Sequence, residues 1–317
     1  MKAVVYNKKA VPDKLVYCDV EKPKPTDNEV LVQIVAVSVN AMDYRSMKMG
    51  MIPKKKIFGA DIAGRVESVG NNTRQFKPGD EVIGDLSDHG SGGFAEYAVA
   101  PETALTLKPA NISFEEAAAL PVAATTALRA LRDKGNIQQG QKVLIVGSSG
   151  GVGTFALQLA KYYGAIVTAV CSSRNVEQSL SMGADQVIDY TKEDFYKSGD
   201  SYDLILAING NSRLSDYKRI LNPNGIYVMV GGALSQIFRS IIFGRFMSFG
   251  SRKMHTLTVK SNQKDLEFLA KLAGDGKIKP LIESRYSLEN TAEAMRYLNE
   301  GHAQGKVVIM RNNEQAH

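Results

Sequence analysis

A strand-type run, Lys142 to Val146, leads straight into Gly147-Ser148-Ser149-Gly150-Gly151-Val152-Gly153, and a helical pattern begins at Val152. Glycines between a strand and a helix let the backbone approach a diphosphate, whose charge is favoured at a helix N-terminus. In the Gly-x-Gly-x-x-Gly register, Ser148 stands at the first position while Gly150 and Gly153 match. Such a motif is weak alone and is judged by its context. The context here is an alternation: helix 152–163, strand 166–170, helix 175–182, strands 186–188 and 204–208, helix 212–221, strand 226–230. That rhythm predicts a parallel sheet with helices on its faces. Ser149, Gly150, Gly151 and Val152 are the candidates for cofactor binding. The alternative is a tight strand–helix turn with no ligand.

The end of the next strand bears on the cofactor. Sites for NAD place Asp or Glu there, to bond the ribose hydroxyls. This strand ends Val170-Cys171-Ser172-Ser173-Arg174-Asn175, with no carboxylate before Glu177. Two hydroxyls and a guanidinium suit a 2′-phosphate, because Arg forms bidentate charge-assisted bonds to phosphate. Ser172, Ser173 and Arg174 therefore predict NADP(H) over NAD(H). The alternative for Arg174 is a solvated cation at a helix start.

The flanking segments differ in texture. Residues 1 to about 118 carry short strands, such as 3–6 and 30–37, punctuated by Lys-Pro, Pro-Gly-Asp and Gly-rich turns. A barrel or sandwich is expected. Ser113 and Glu116 form a capping box before an Ala-rich helix that reaches Leu120. Pro121 interrupts it, and a second helix runs from Ala123 to about Arg132. After Thr256 come a strand, helices 265–273 and 290–300, and a last strand, 306–310. At 317 residues, two domains are expected.

Composition narrows the class. The formal net charge of +6 is scattered, apart from Lys54-Lys55-Lys56 and Arg252-Lys253, so no nucleic-acid partner is expected. Two cysteines, Cys18 and Cys171, exclude a disulfide scaffold and a four-cysteine zinc site. No apolar run suits a signal peptide or a membrane span, and a cytoplasmic protein is expected.

Several stretches together carry a resemblance. They are Gly59-Ala60-Asp61-Ile62-Ala63-Gly64-Arg65-Val66-Glu67-Ser68-Val69-Gly70, Phe76-Lys77-Pro78-Gly79-Asp80-Glu81-Val82, and Gly92-Gly93-Phe94-Ala95-Glu96-Tyr97. Ala119-Leu120-Pro121, the glycine turn, Gly183 to Tyr190 and Gly301 to Ile309 add to them. The chain resembles the medium-chain dehydrogenase/reductase superfamily, in its zinc-free quinone oxidoreductase-like branch. The resemblance implies an α/β architecture: a doubly wound parallel Rossmann sheet over 121–259, plus a GroES-like β-barrel domain from 1–120 and 260–317. It implies an active site in the interdomain cleft and a homodimer paired through the last Rossmann strand, near 255–259.

Site residues follow from the same resemblance. Where zinc-dependent relatives carry their ligands, this chain has Asn40, Ala60 and approximately Val122. That is no ligand set, and no metal is expected. His89 reads as a loop histidine. The stretch Ser38 to Arg45 resembles the branch's Asn-Pro-x-Asp-Tyr-Lys segment, with Ala41 where Pro is usual. Asn40 is implied to lie nearest the nicotinamide. Tyr44 is the candidate donor or general acid, and Arg45 a candidate to polarise a substrate carbonyl. The alternative is a structural loop in which Asp43 and Arg45 pair. Asp61 is either a supporting group of the site or a fold-holding one. Thr126, Tyr190, Gly231 and Lys306 are implied to line the cofactor. Their structural alternatives are a helix residue, core packing, a turn and a surface charge.

Residues 234–254 place Phe238, Ile241, Ile242, Phe246 and Phe249 at helical spacing among Arg and Lys. Three readings stand: packing on its own domain or a dimer partner, a lid on an apolar pocket, or peripheral membrane contact. The reaction expected is NADPH-dependent reduction of a small apolar quinone or α,β-unsaturated carbonyl. Reduction of a saturated ketone or aldehyde is one alternative. A non-catalytic NADPH-binding regulatory protein is the other.

Overall fold

The structure is a computed structural model and describes residues 1–8, 14–210, 212–232, 251–301 and 303–311. The readings of the amphipathic segment fall outside these residues, apart from its last four, 251–254. The chain forms two compact units, Met1–Thr125 with Lys260–His317, and Thr126–Val259.

The first unit opens with β1 (Lys2–Tyr6) and β2 (Leu15–Asp19), an antiparallel pair. The long strand β3 (Glu29–Val39) follows, then helix α1 (Ala41–Lys48). Strands β4 (Asp61–Val69), β5 (Glu81–Asp85), β6 (Tyr97–Pro101) and β7 (Leu105–Leu107) come next. Helix α2 (Phe114–Ala118) starts at the capping box, where Glu116 N donates to Ser113 Oγ and Ser113 N to the Glu116 carboxylate. Pro121 opens helix α3 (Pro121–Arg129) rather than merely ending the previous one. Proline is favoured at a first helical position, where its missing N–H is not needed. Alanine-rich patterning thus continues through it.

The second unit contains β8 (Lys142–Val146), α4 (Gly151–Tyr162), β9 (Ile166–Cys171), α5 (Val176–Ser181) and β10 (Gln186–Asp189). It continues with β11 (Tyr202–Ala207), α6 (Leu214–Arg219), β12 (Leu221–Met229) and β13 (Lys253–Thr256). The six strands form one parallel sheet in the order β10-β9-β8-β11-β12-β13. That order is the doubly wound one, with strands added outward on both sides of β8. Val143 to Val146, Val167 to Cys171 and Leu204 to Ala207 are buried throughout. Burial on both faces is why these strands read as unbroken apolar runs.

The chain returns to the first unit with α7 (Gln263–Gly274), β14 (Ile282–Ser287), α8 (Thr291–Asn299) and β15 (Lys306–Met310). A seven-stranded sheet results, ordered β14-β15-β3-β4-β5-β7, with β6 also on β3. One half of β3 pairs β6, from Glu29 to Gln33, and the other pairs β15, from Ala36 to Val39. β15 is thereby bound beside the start of α1.

Candidate functional site

In the parallel unit the site is built along the carboxyl ends of the strands. Gly147 turns the chain out of β8 with φ of 89°. Gly150 is the N-cap of α4, with φ −79° and ψ 176°. A Cβ built on Gly150 meets no atom within 4 Å, whereas one on Gly153 lies 2.2 Å from the Gly147 carbonyl oxygen. Gly153 is therefore needed for α4 to pack on its own turn. Gly150 is not needed for packing, and the space beside it is open. The first N–H groups of a helix have no intrahelical partner, and no N-cap side chain bonds them here. Open space, uncapped donors and the positive end of the helix together fit a diphosphate. Ser148 points away: it is fully buried and its hydroxyl lies 3.0 Å from that of Ser179. Ser149, Gly151 and Val152 are half-buried around the opening.

Ser172, Ser173 and Arg174 follow β9, with Ser173 and Arg174 exposed. The Ser172 hydroxyl accepts from Asn175 Nδ2 at 3.1 Å. The Ser173 hydroxyl donates at 2.5 Å to Asp189, the last residue of β10. Thr191 Oγ1 and Thr191 N also donate to Asp189, at 2.7 and 3.0 Å. The Ser173 hydroxyl, then the Thr191 hydroxyl, hold the Asp189 carboxyl well below the usual carboxylate range. Sequence reasoning missed Asp189. Its one local signal was an Asp two residues before a Thr, the spacing of an Asx turn. Tyr190 is 59% exposed, so it is not a core residue. Gly231 lies two residues beyond β12, and Thr126 is half-buried in α3.

The first unit holds a buried ionic cluster. Strand register assembles it. Ser38 pairs Asp61, Val39 pairs Val307, and Asp61 pairs Asp85. Lys306 Nζ donates to Asn40 Oδ1 at 2.7 Å and lies 3.2 Å from Asp61 Oδ2. The same Oδ2 accepts from Ser38 Oγ at 2.6 Å and from Asn40 Nδ2 at 2.8 Å. Asp61 Oδ1 accepts from Val122 N at 2.9 Å, so this carboxylate also caps α3. The Lys306 and Asp61 side chains are 3% and 0% exposed. Lys306 is therefore not a surface charge. Buried charges survive only when paired and hydrogen-bonded, and here both are.

Two further carboxyls lie in this unit's interior. Asp43 accepts from Asn40 N at 2.8 Å and from Gly59 N at 3.2 Å. Burial, together with the charge of Asp61, outweighs those bonds and pushes Asp43 up to about 7. Asp85 is pushed up to about 6, chiefly by burial and then by Asp61. Tyr44 and Arg45 extend along α1. Tyr44 packs against the unit's core, with the Arg45 guanidinium 5.9 Å and Lys48 Nζ 5.6 Å from its ring centre. The structure thus brings Asn40, Asp61 and Lys306 into one bonded cluster, with Tyr44 and Arg45 a turn further along the helix.

Ala60 and Val122 offer no side-chain donor, and Asn40 Oδ1 already accepts from an ammonium. Among the described residues no three His, Cys, Asp or Glu side chains are grouped to hold a metal. His89 Nε2 lies 3.2 Å from Ser261 Oγ, in a loop tied down by Asp88 accepting from Ser261 N at 2.6 Å.

A doubly wound sheet with an open glycine turn, in one chain with a mixed-sheet unit, defines a dinucleotide-binding oxidoreductase fold. Comparison with known proteins agrees. Residues 26–110 match the alcohol dehydrogenase GroES-like domain, and residues 182–309 match a family described as zinc-binding dehydrogenase. The chain is 34% identical to a chloroplast envelope quinone oxidoreductase homolog of Arabidopsis thaliana, over 93% of each chain. It is 32% identical to an NADPH-dependent alkenal/one oxidoreductase of Arabidopsis thaliana, covering 98% of this chain and 79% of the relative. The solved structure of the quinone oxidoreductase from Coxiella burnetii superposes with a TM-score of 0.86 at 28% identity, covering 98% of this chain and 99% of that one. The chain belongs to the medium-chain dehydrogenase/reductase superfamily, in its quinone oxidoreductase-like branch, and is an enzyme of the oxidoreductase class. Among the described residues no helix is long and apolar enough to cross a membrane.

Proposed function

We propose that the protein is a zinc-independent, NADPH-dependent reductase of a quinone or an α,β-unsaturated carbonyl. One observation carries the reading: the open space at Gly150, beside the uncapped N-terminus of α4, in a chain of this branch. Relatives named for quinone and alkenal/one reduction support the substrate class.

The backbone N–H groups of Gly150, Gly151 and Val152, with Ser149 at the turn's mouth, hold the diphosphate. Ser172, Ser173 and Arg174 face the adenosine ribose, with the Arg174 guanidinium on its 2′-phosphate. Tyr190 flanks that group, and Thr126 and Gly231 line the remainder. When bound, the nicotinamide supplies a hydride to the acceptor. The protein's part is to orient the acceptor, exclude water and stabilise the developing oxyanion with donors. Asn40 is the donor nearest the nicotinamide. Lys306 Nζ, bonded to Asn40 Oδ1, fixes which way that amide faces. Tyr44 Oη delivers the proton, and Arg45 polarises the carbonyl. A site without a zinc ion does not lower an alcohol's pKa, which favours quinone or enone reduction over simple alcohol oxidation.

The reading includes a homodimer. β13 is an edge strand among the described residues, so its outer side offers a backbone edge that a second copy pairs with. A cytoplasmic location is part of the reading, supported by two free cysteines, Cys18 and Cys171. The test is oxidation of NADPH and NADH with quinones, enones and aldehydes, with and without a zinc chelator. Chelator-resistant turnover of a quinone or enone is expected. Loss of turnover with chelator overturns zinc independence. Tight nucleotide binding with no turnover of any acceptor moves the protein to a non-catalytic, NADPH-binding role.

A further inference from the structure

The parallel sheet places a carboxylate where the sequence of β9 lacks one. β10 runs parallel to β9 with Asp189 paired to Cys171, so Asp189 sits beside the strand end that carries Ser172, Ser173 and Arg174. Asp189 is 9% exposed, and its carboxylate accepts from the Ser173 and Thr191 hydroxyls and from Thr191 N. Each hydroxyl has one proton to give. The Ser173 proton goes to Asp189 Oδ2 at 2.5 Å and the Thr191 proton to Oδ1 at 2.7 Å. The two hydroxyl oxygens lie 2.9 Å apart, at hydrogen-bond distance with either as donor, so the Ser173 proton points inward, to Asp189 or to Thr191, in either arrangement. Ser173 is exposed, and what its oxygen turns outward is lone pairs.

That reverses the chemistry of the position. A serine with a free proton donates to a phosphate. A serine that has given its proton to a carboxylate can only accept, which suits a sugar hydroxyl. The charge behind it adds to the effect, since a carboxylate one hydroxyl away repels a phosphate. Lys192 Nζ, 3.4 Å from Asp189 Oδ2 on a side chain that is 74% exposed, offsets part of this charge. Arg174, on the next residue, pulls the other way by attracting phosphate.

We infer that Asp189 is a positioning residue for cofactor choice: through the Ser173 and Thr191 hydroxyls it presents acceptors to a free ribose 2′-hydroxyl and holds back the preference for a 2′-phosphate. The inference rests on the proposed reading, in which the adenosine ribose lies at the end of β9. It predicts an enzyme that binds NADH appreciably, with Arg174 and Asp189 in opposition.

The experiment measures the Kd of NADPH and of NADH on the full chain by nicotinamide fluorescence, for wild type, Asp189→Asn and Ser173→Ala. Asp189→Asn keeps a side-chain acceptor of the same shape and removes the charge. It is expected to raise the NADPH-to-NADH affinity ratio about tenfold, the scale of one hydrogen bond to a charged group. Ser173→Ala, at an exposed position, keeps the fold and is expected to weaken NADH severalfold and NADPH less, so that the NADPH-to-NADH affinity ratio rises. In the double variant the Asp189→Asn effect should shrink, because the relay is gone. An unchanged ratio in Asp189→Asn, or a Ser173→Ala variant that weakens NADPH more than NADH, overturns the inference while leaving the oxidoreductase reading intact. A wild type that binds neither nucleotide overturns both.

Discussion

Replacing Gly150 separates the fold from the function of the glycine turn. Its backbone angles, φ −79° and ψ 176°, are open to any L-residue, and its Cβ meets nothing within 4 Å. Alanine there gains about 0.4–1 kcal/mol by restricting the unfolded chain. It loses a comparable amount, about 0.5–1 kcal/mol, as a poorer N-cap than glycine. The two nearly cancel, so Gly150→Ala and Gly150→Val should unfold in urea within about 0.5 kcal/mol of wild type. Gly153→Ala is the contrast. Its Cβ lies 2.2 Å from the Gly147 oxygen and 2.6 Å from Ser148 carbonyl atoms, so α4 must move and about 1–3 kcal/mol or more is lost. For the nucleotide the ranking inverts. A side chain at 150 fills the space assigned to the diphosphate, and each N–H bond to a charged phosphate is worth about 1.5–3 kcal/mol. Gly150→Val should therefore bind NADPH about 100-fold more weakly by titration calorimetry, with its stability intact. If Gly150→Val binds like wild type, the turn is not the diphosphate seat. If Gly150→Ala unfolds more than about 2 kcal/mol early, the space beside it is not open.

Three further outcomes are expected. Lys306→Met leaves the Asp61 carboxylate buried without its cation and should cost about 3–5 kcal/mol in urea unfolding; a change under about 1 kcal/mol would mean the pair is solvated. Asp43, raised from 3.8 to about 7 by burial, binds a proton in the folded chain that the unfolded chain has released across that interval. Its contribution to stability is therefore complete below about pH 4 and lost as the pH rises through about 7. The stability of wild type relative to Asp43→Asn should accordingly fall from pH 4 to pH 7, and a relative stability that rises over that range refutes the assignment. Arg174→Ala should weaken NADPH about tenfold or more and leave NADH within twofold, read as the ratio of the two Kd values.

Much of the parallel unit was legible in its sequence because local rules act there without competition. Lys142–Val146 is bounded as its apolar run implies, and α4 begins within one residue of the expected start. The capping box at Ser113 behaves as written. The mixed-sheet unit was less legible. Strands β4 to β7 were foreshadowed only by the turns between them, because buried Asp61, Gly64, Gly84 and Asp85 break the apolar runs of β4 and β5, and β6 and β7 are short. The serines after β9 were seen, but the direction of the Ser173 proton was not, since its acceptor lies 16 residues away on another strand.

Sequence alone determined the elements whose cause is local: the glycines a strand–helix turn needs, the apolar runs of a sheet buried on both faces, and the caps. These depend on backbone freedom and on periodicity, which a few neighbouring residues specify. Tertiary structure decided the charges. Asp61 and Lys306 are 245 residues apart and meet only because β15 and β4 flank β3 on either side. Whether a lysine is a solvated cation or the buried partner of a carboxylate is a matter of what surrounds it. Electrostatic free energy depends on distance and solvent access, and strand register sets both.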